Sequence, residues 1–226
     1  MSTSQTRLVQ VRQQVLKHND LAARALRKRF HEAGVYVVSL VSSPGAGKTT
    51  FLEATLHGLR GRFRSAALVG DLATDNDARR LARAGVPIKQ ITTGTVCHLD
   101  ADMVAGALSD WNLADLEFLF IENVGNLVCP ATFDLGEELR LVLLSVTEGE
   151  DKPLKYPTIF NTADVAIITK NDLSQAVELD REAMLASIRS VRPGMSVLEV
   201  SAKKQEGMRA WLEFLESRRQ EFIRSS

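Results

Sequence analysis

Residues 35–50, VYVVSLVSSPGAGKTT, constrain the fold of this chain more than any other segment. Val35 to Val41 is a short β-branched run of the kind that makes a strand buried on both faces. Ser42-Ser43-Pro44-Gly45-Ala46-Gly47 follows as a loop of small residues, and Lys48-Thr49-Thr50 opens a helical pattern that continues to about residue 60. Small residues let backbone N–H groups turn inward around phosphate oxygens. The helix N-terminus behind them adds its partial positive charge. Lys48 then supplies a full charge to the β- and γ-phosphates, and the Thr49 hydroxyl is a ligand for Mg²⁺. Pro44 through Thr50 are therefore expected to wrap the phosphates. Ser42 stands where this pattern usually begins with glycine.

Further strands are expected near 65–70, 87–92, 116–121, 139–146, 165–168 and 197–200. Helices are expected near 100–110, 174–191 and 205–222. Strands alternating with helices predict an α/β phosphate-loop fold, a mostly parallel sheet of about seven strands with helices on both faces. Residues 1–34 read as an amphipathic helix flanking that domain, with a break or a new cap at His18-Asn19-Asp20, and 35–226 as the nucleotide-hydrolysing domain. The Arg-rich face of the first helix reads as solvated. Of 226 residues, 45% are hydrophobic, enough to bury a core without staples. The formal net charge of zero gives no global attraction to nucleic acid or anionic lipid. No apolar run approaches the ~18 residues of a membrane span, no signal-peptide core opens the chain, and two cysteines exclude a disulfide scaffold. A cytoplasmic protein is expected.

Asp71 ends the second strand and Glu122 the fourth, and in a parallel sheet those ends lie beside the bound phosphates. Asp71, Asp75 and Glu122 are expected to join Thr49 around Mg²⁺. At least one of Asp71, Asp75 and Asp77 is expected to serve the metal or the attacking water, and all three also read as helix caps. Lys48, Asp75 and Glu122 are the expected catalytic residues, with Asp75 the choice for orienting water. Gly125, three residues beyond Glu122, can present its N–H to the γ-phosphate. Thr169-Lys170-Asn171-Asp172 follows the sixth strand and resembles the Asn-Lys-x-Asp guanine signature. A carboxylate at Asp172 accepts from guanine N1–H and the N2 amine, a donor pair that adenine lacks. Lys170 covers the purine face, and Ser201-Ala202-Lys203 resembles the second base loop. The expected ligands are GTP and GDP.

Cys97-His98 and Cys129 are a soft donor set suited to Zn²⁺, Ni²⁺ or Cu(I). Taken by themselves, free cysteines are more often small buried hydrophobes, and His98 reads equally as a helix cap.

VSSPGAGKTT, GDLATDNDA, TGTVCHLDADMV, FIENVGNLVCPATFDLGE, ADVAIITKNDL and VSAKKQEGMRAWLEFL, in this order, resemble the HypB family of GTPases that aid nickel insertion into nickel–iron hydrogenases. The resemblance covers most of residues 35–215. It implies a Ni²⁺ or Zn²⁺ site at Cys97, His98 and Cys129 near a dimer interface, a GTP-promoted homodimer, slow GTP hydrolysis, and partnership with a hydrogenase maturation protein and the hydrogenase large subunit. The sequence itself carries neither the Cys-rich N-terminal motif nor the His-rich stretch of some members. A GTPase chaperone for a urease or a cobalamin-dependent mutase is the runner-up; a small-molecule kinase leaves the guanine loops unexplained. Because Glu122 and Cys129 share one loop, a linkage of roughly 1–3 kcal/mol between nucleotide and metal is expected.

Overall fold

A strand covered on both faces must be apolar at nearly every position, and the strands of this chain are. The computed structural model describes residues 3–71 and 76–225, without the side chains of 3–12 and 76. Seven strands form one sheet: β1 (Tyr36–Ser42), β2 (Ser65–Asp71), β3 (Ile88–Thr92), β4 (Phe118–Glu122), β5 (Leu139–Ser145), β6 (Val165–Thr169) and β7 (Ser196–Glu199). Their order is β3-β2-β4-β1-β5-β6-β7, and every pairing is parallel. The seven-stranded parallel sheet with helices on both faces is the one the sequence implied.

Among the described residues, eight α-helices precede, connect or follow the strands: α1 (Thr3–Ala33), α2 (Lys48–Leu59), α3 (Asn76–Leu81), α4 (Ala101–Ala107), α5 (Lys152–Lys155), α6 (Pro157–Thr162), α7 (Arg181–Val191) and α8 (Met208–Ser225). The period-2 alternation of β1 separates the layers. Tyr36, Val38 and Leu40 point toward Phe51, Leu52 and Leu56 of α2 and Trp211 and Leu215 of α8. Val37 points the other way, toward Ala23, Leu26 and Phe30 of α1 and Val104 of α4. Val41, on that second side, joins the cluster under α6 and α7 with Ile159, Phe160 and Met184. No helix among the described residues is long and apolar enough to cross a membrane.

Two helices differ from expectation. Residues 174–180 do not begin α7; Asp180 caps it at Arg181, its carboxylate accepting from Ala183 N at 2.9 Å. The preceding SQAVELD is too polar to bury a helical face and includes Glu178 in the left-handed region at φ 52°. His18-Asn19-Asp20 does not interrupt α1. Asn19 is buried, its amide N donates to Asp134 O and its amide O accepts from Ala101 N, both at 2.9 Å, so its polarity serves tertiary contacts rather than a cap.

The crossovers bring the C-terminal ends of the strands to one edge, where ligands of such sheets bind. The loop after β7 is closed there by a Ser201–Glu206 bridge and ended by Gly207 at φ 71°. A Cβ at Gly207 would overlap Glu199 O, a backbone atom that has no room to move aside. Gly207→Ala should lose about 1–3 kcal/mol in urea denaturation and weaken nucleotide binding by displacing residues 201–203.

Candidate functional site: a nucleotide cleft beside a thiol–imidazole cluster

Pro44, Gly45, Gly47, Lys48, Thr49 and Thr50 form one wall of a cavity of about 470 Å³, and Asp71, Glu122, Gly125 and Lys170 form the others. Gly47 adopts φ 94°, a conformation that turns the loop into α2. A Cβ on Gly125 would stand 3.0 Å from Pro44 Cα, so only glycine lets the loop after β4 lie against the phosphate loop. Asp75 lies outside the described residues.

The electrostatics show which charges this cavity suits. Lys48 is buried, and burial holds its pKa below the ordinary lysine value against the opposing pull of Glu122, Asp77 and Glu148. Its ammonium donates to Ser42 Oγ at 3.0 Å, giving the serine in place of glycine a defined use. Glu122 is also buried, and burial pushes its pKa up to about 7 despite Lys48 and a 2.7 Å hydrogen bond from Thr49 Oγ1 to Oε1. Glu122 Oε2 is buried with no hydrogen-bond partner. A buried cation and a buried carboxylate, each short of counter-charge, fit an anionic phosphate chain carrying a divalent cation. Thr49 Oγ1, Glu122 and Asp71 are hard oxygen donors suited to Mg²⁺.

A second cavity of about 200 Å³ adjoins the first and shares Gly47, Thr50 and Lys170 with it. Phe51, Asp172, Ser201, Ala202 and Lys203 complete it. Thr169 Oγ1 donates to Ala46 O at 2.6 Å and Lys170 Nζ to Gly45 O at 2.7 Å, so the base loop is tied to the phosphate loop. Thr169 thus holds the two loops together through its hydroxyl. Asp172 Oδ1 accepts from Ser201 Oγ at 2.6 Å, which joins the two base loops and fixes the carboxylate. A carboxylate fixed in an apolar-walled slot offers acceptors to a ligand edge that presents donors.

Cys97 and His98 lie in the loop between β3 and α4, and Cys129 opens the 3₁₀ turn Cys129–Thr132 after β4. Their ligand atoms all lie within 4.8 Å of one another, with the two sulfurs 2.9 Å apart. Thirty-two residues separate the cysteines in sequence, yet the tertiary structure puts them in one cluster. His98 is not the cap of α4; Asp100 is, accepting from Met103 N at 2.8 Å. The His98 ring lies 3.9 Å from that of Phe133, and its Nδ1 is buried without a partner. Burial lowers the His98 pKa, against Asp100, and so favours the neutral imidazole that ligates metal. Two thiols and a neutral imidazole fit a soft or borderline divalent ion, with one tetrahedral position left over.

Sequence reading missed several residues around this site. Arg80 lines the phosphate cavity beside Asp77, which the sequence already singles out, and pairs there with Glu53 at 2.8 Å. Asn123 and Asn126 tie the loop after β4 to the Cys97-His98 loop: Asn123 Oδ1 accepts from Leu99 N at 3.0 Å, and Asn126 Nδ2 donates to Cys97 O at 3.4 Å. Asn19, a hundred residues away in the chain, holds both flanks of the cluster. The only sequence sign was polarity inside otherwise apolar surroundings, which does not identify a partner.

A glycine-bearing loop that runs into a helix N-terminus, backed by strand-end carboxylates, defines a phosphate-loop nucleotide-binding protein. The chain belongs to the HypB branch of the CobW/HypB/UreG family, whose nucleotide-binding-domain model matches residues 36–199. It is 51% identical over 219 residues to the hydrogenase maturation factor HypB of Azotobacter vinelandii, covering 96% of this chain and 71% of that protein. The crystal structure of Helicobacter pylori HypB in complex with nickel is 41% identical, with a TM-score of 0.85 over 90% of this chain and 96% of that one. The Archaeoglobus fulgidus HypB structure is 37% identical, with a TM-score of 0.83 over 89% and 98%.

The buried Glu122 carboxyl makes a pH prediction for the nucleotide-free protein. Its folded pKa of about 7 lies above the ordinary 4.5, so the folded state holds this proton more tightly than the unfolded chain. The stability it contributes is complete below the unfolded value and is lost as pH rises through the folded one. Glu122→Gln removes that dependence. Relative to wild type, the variant should gain about 2–3 kcal/mol between pH 5 and pH 8 in urea denaturation; a flat difference would show that the carboxyl is not proton-linked.

Proposed function

We propose that this chain is a GTP-hydrolysing metallochaperone that carries nickel during maturation of a nickel–iron hydrogenase. The observation that carries the reading is the convergence of Cys97, His98 and Cys129 on one point, at the far end of the loop that begins with Glu122. The likeness to a HypB structure in complex with nickel supports the metal's identity.

In this reading the phosphates replace water around Lys48, whose charge, with the backbone of residues 44–49, stabilises the negative charge that develops on the transferred phosphoryl group. Thr49, Glu122 and Asp71 would hold Mg²⁺, which would supply further positive charge to the phosphates. Asp172 and Ser201 read the guanine edge, and Lys170 lies along its face. Asp75 or Glu122 orients the attacking water. Nickel is cargo rather than a participant in hydrolysis. GTP promotes a homodimer: Val128, beside Cys129, is 63% exposed, which suits an apolar contact with a second copy at the incomplete coordination shell. Release to a maturation partner or to the hydrogenase large subunit follows the change of nucleotide state.

Two experiments test the halves of this reading. Asp172→Asn should lower GTP affinity by about 2–3 kcal/mol and move preference toward the xanthosine nucleotide, because xanthine replaces the N2 donor with an acceptor. Unchanged selectivity in competition binding would remove Asp172 as the base reader. Cys97→Ala and Cys129→Ala should each weaken Ni²⁺ binding by more than about 100-fold at unchanged melting temperature. Acidification should release the ion, because protons compete for thiolate and imidazole. Undiminished binding in either variant would return these cysteines to the core.

A further inference from the structure

Two routes lead from the nucleotide to the thiol–imidazole cluster. One follows the chain from Glu122 to Cys129. The other crosses between loops through the hydrogen bonds of Asn123 and Asn126, of which Asn123 lies next to Glu122. Asn123 is only 1% exposed and follows Glu122 directly. Its backbone N–H donates to Leu40 O at 3.0 Å, which anchors it to the strand leading into the phosphate loop. Its Oδ1 accepts two hydrogen bonds, from Val124 N at 2.9 Å and from Leu99 N at 3.0 Å. Val124 belongs to the wall of the phosphate cavity, and Leu99 is the residue after His98.

Leu99 is itself held on a second nucleotide-facing strand end. It is fully buried, and a Cβ placed on Gly70, the neighbour of Asp71, would stand 2.8 Å from Leu99 Cγ. The peptide of Leu99 is therefore seated where the ends of β2 and β4 meet, the strands that carry Asp71 and Glu122. We infer that Asn123 is the positioning residue that transmits the state of the nucleotide cleft to His98, through the shared acceptor Oδ1 and the Leu99 amide. This assignment rests on the metallochaperone reading and adds to it a residue and a direction of transmission. Movement of Val124 toward or away from a γ-phosphate changes the geometry at Oδ1. The Leu99 N–H must follow or lose its acceptor, because a buried amide left unpaired is unfavourable. The imidazole of His98 is displaced with it. His98 and Cys129 would then respond together, through separate loops.

The experiment is a Ni²⁺ titration of the full chain, loaded either with GDP or with a non-hydrolysable GTP analogue, for wild type, Asn123→Ala and Asn123→Asp. Wild type should show affinities that differ between the two states by about 5- to 100-fold, the usual range for linked sites. Asn123→Ala should bring the ratio to within about twofold of one, while Asn123→Asp, which keeps an acceptor at the same place, should restore most of it. A residue that served only the fold would lower the melting temperature and both affinities but leave their ratio alone. Hydrogen exchange on wild type supplies a measurement that does not depend on any variant folding. Protection of the Leu99 amide should differ between the two nucleotide states. A preserved ratio in Asn123→Ala, or Leu99 protection that does not change with nucleotide, overturns the assignment and leaves the metallochaperone reading in place. A wild-type ratio of one overturns the nucleotide–metal linkage and this assignment with it, and absence of Ni²⁺ binding to wild type overturns the underlying reading.

Discussion

Glu122 is where it is because β4 lies between β1 and β2 in parallel register, with Glu122 opposite Leu40 on one side and Val69 on the other. That register puts the last residue of a fully buried strand at the floor of the phosphate loop. A slip of one residue would turn its side chain to the other face of the sheet and bury it in an apolar layer. The hydrogen bond from Thr49, the close passage of Gly125 over Pro44, and the hydrogen bond from Leu99 N to Asn123 Oδ1 all follow from that position.

Burial at this point makes the cleft responsive to charge. Lys48 and Glu122 are each displaced toward their neutral forms because the protein alone gives them too little compensation. Desolvation outweighs their mutual attraction for both groups, so the cleft is poorly satisfied without an anion and a cation together. The thiol–imidazole cluster shows the same incompleteness at smaller scale: a buried His98 Nδ1 with no partner and two thiols turned toward one another. Both unsatisfied places lie at the C-terminal edge of the sheet, on either side of the loop that leaves β4, and Asn123 holds that loop to the one after β3.

The structure divides what could be anticipated from what could not along physical lines. Local chemistry was legible. The apolar runs predicted every strand within about two residues, the usual uncertainty at element ends, and the small-residue loop before Lys48 predicted the phosphate wall. Asp172 and Ser201 were expected on two loops that meet, and a 2.6 Å hydrogen bond joins them. Where the reading departed from the structure, polar residues were serving distant partners. Asn19 looked like a helix break and instead bridges Ala101 and Asp134. Residues 174–180 looked like the first turns of α7, but Asp180 starts that helix.

The sequence alone determined the order of elements, the phosphate loop and the donor types available, because each of these depends on side-chain size, periodicity or charge over a few neighbouring residues. It could not settle whether Cys97 and Cys129 were ligands or core, since that depends on the parallel pairing of β2 with both β3 and β4, which brings the loops after β3 and β4 to the same edge of the sheet. Tertiary structure also decided what the asparagines do. A hydrogen bond across 24 residues, or across 115, joins groups that only the folded sheet brings within reach.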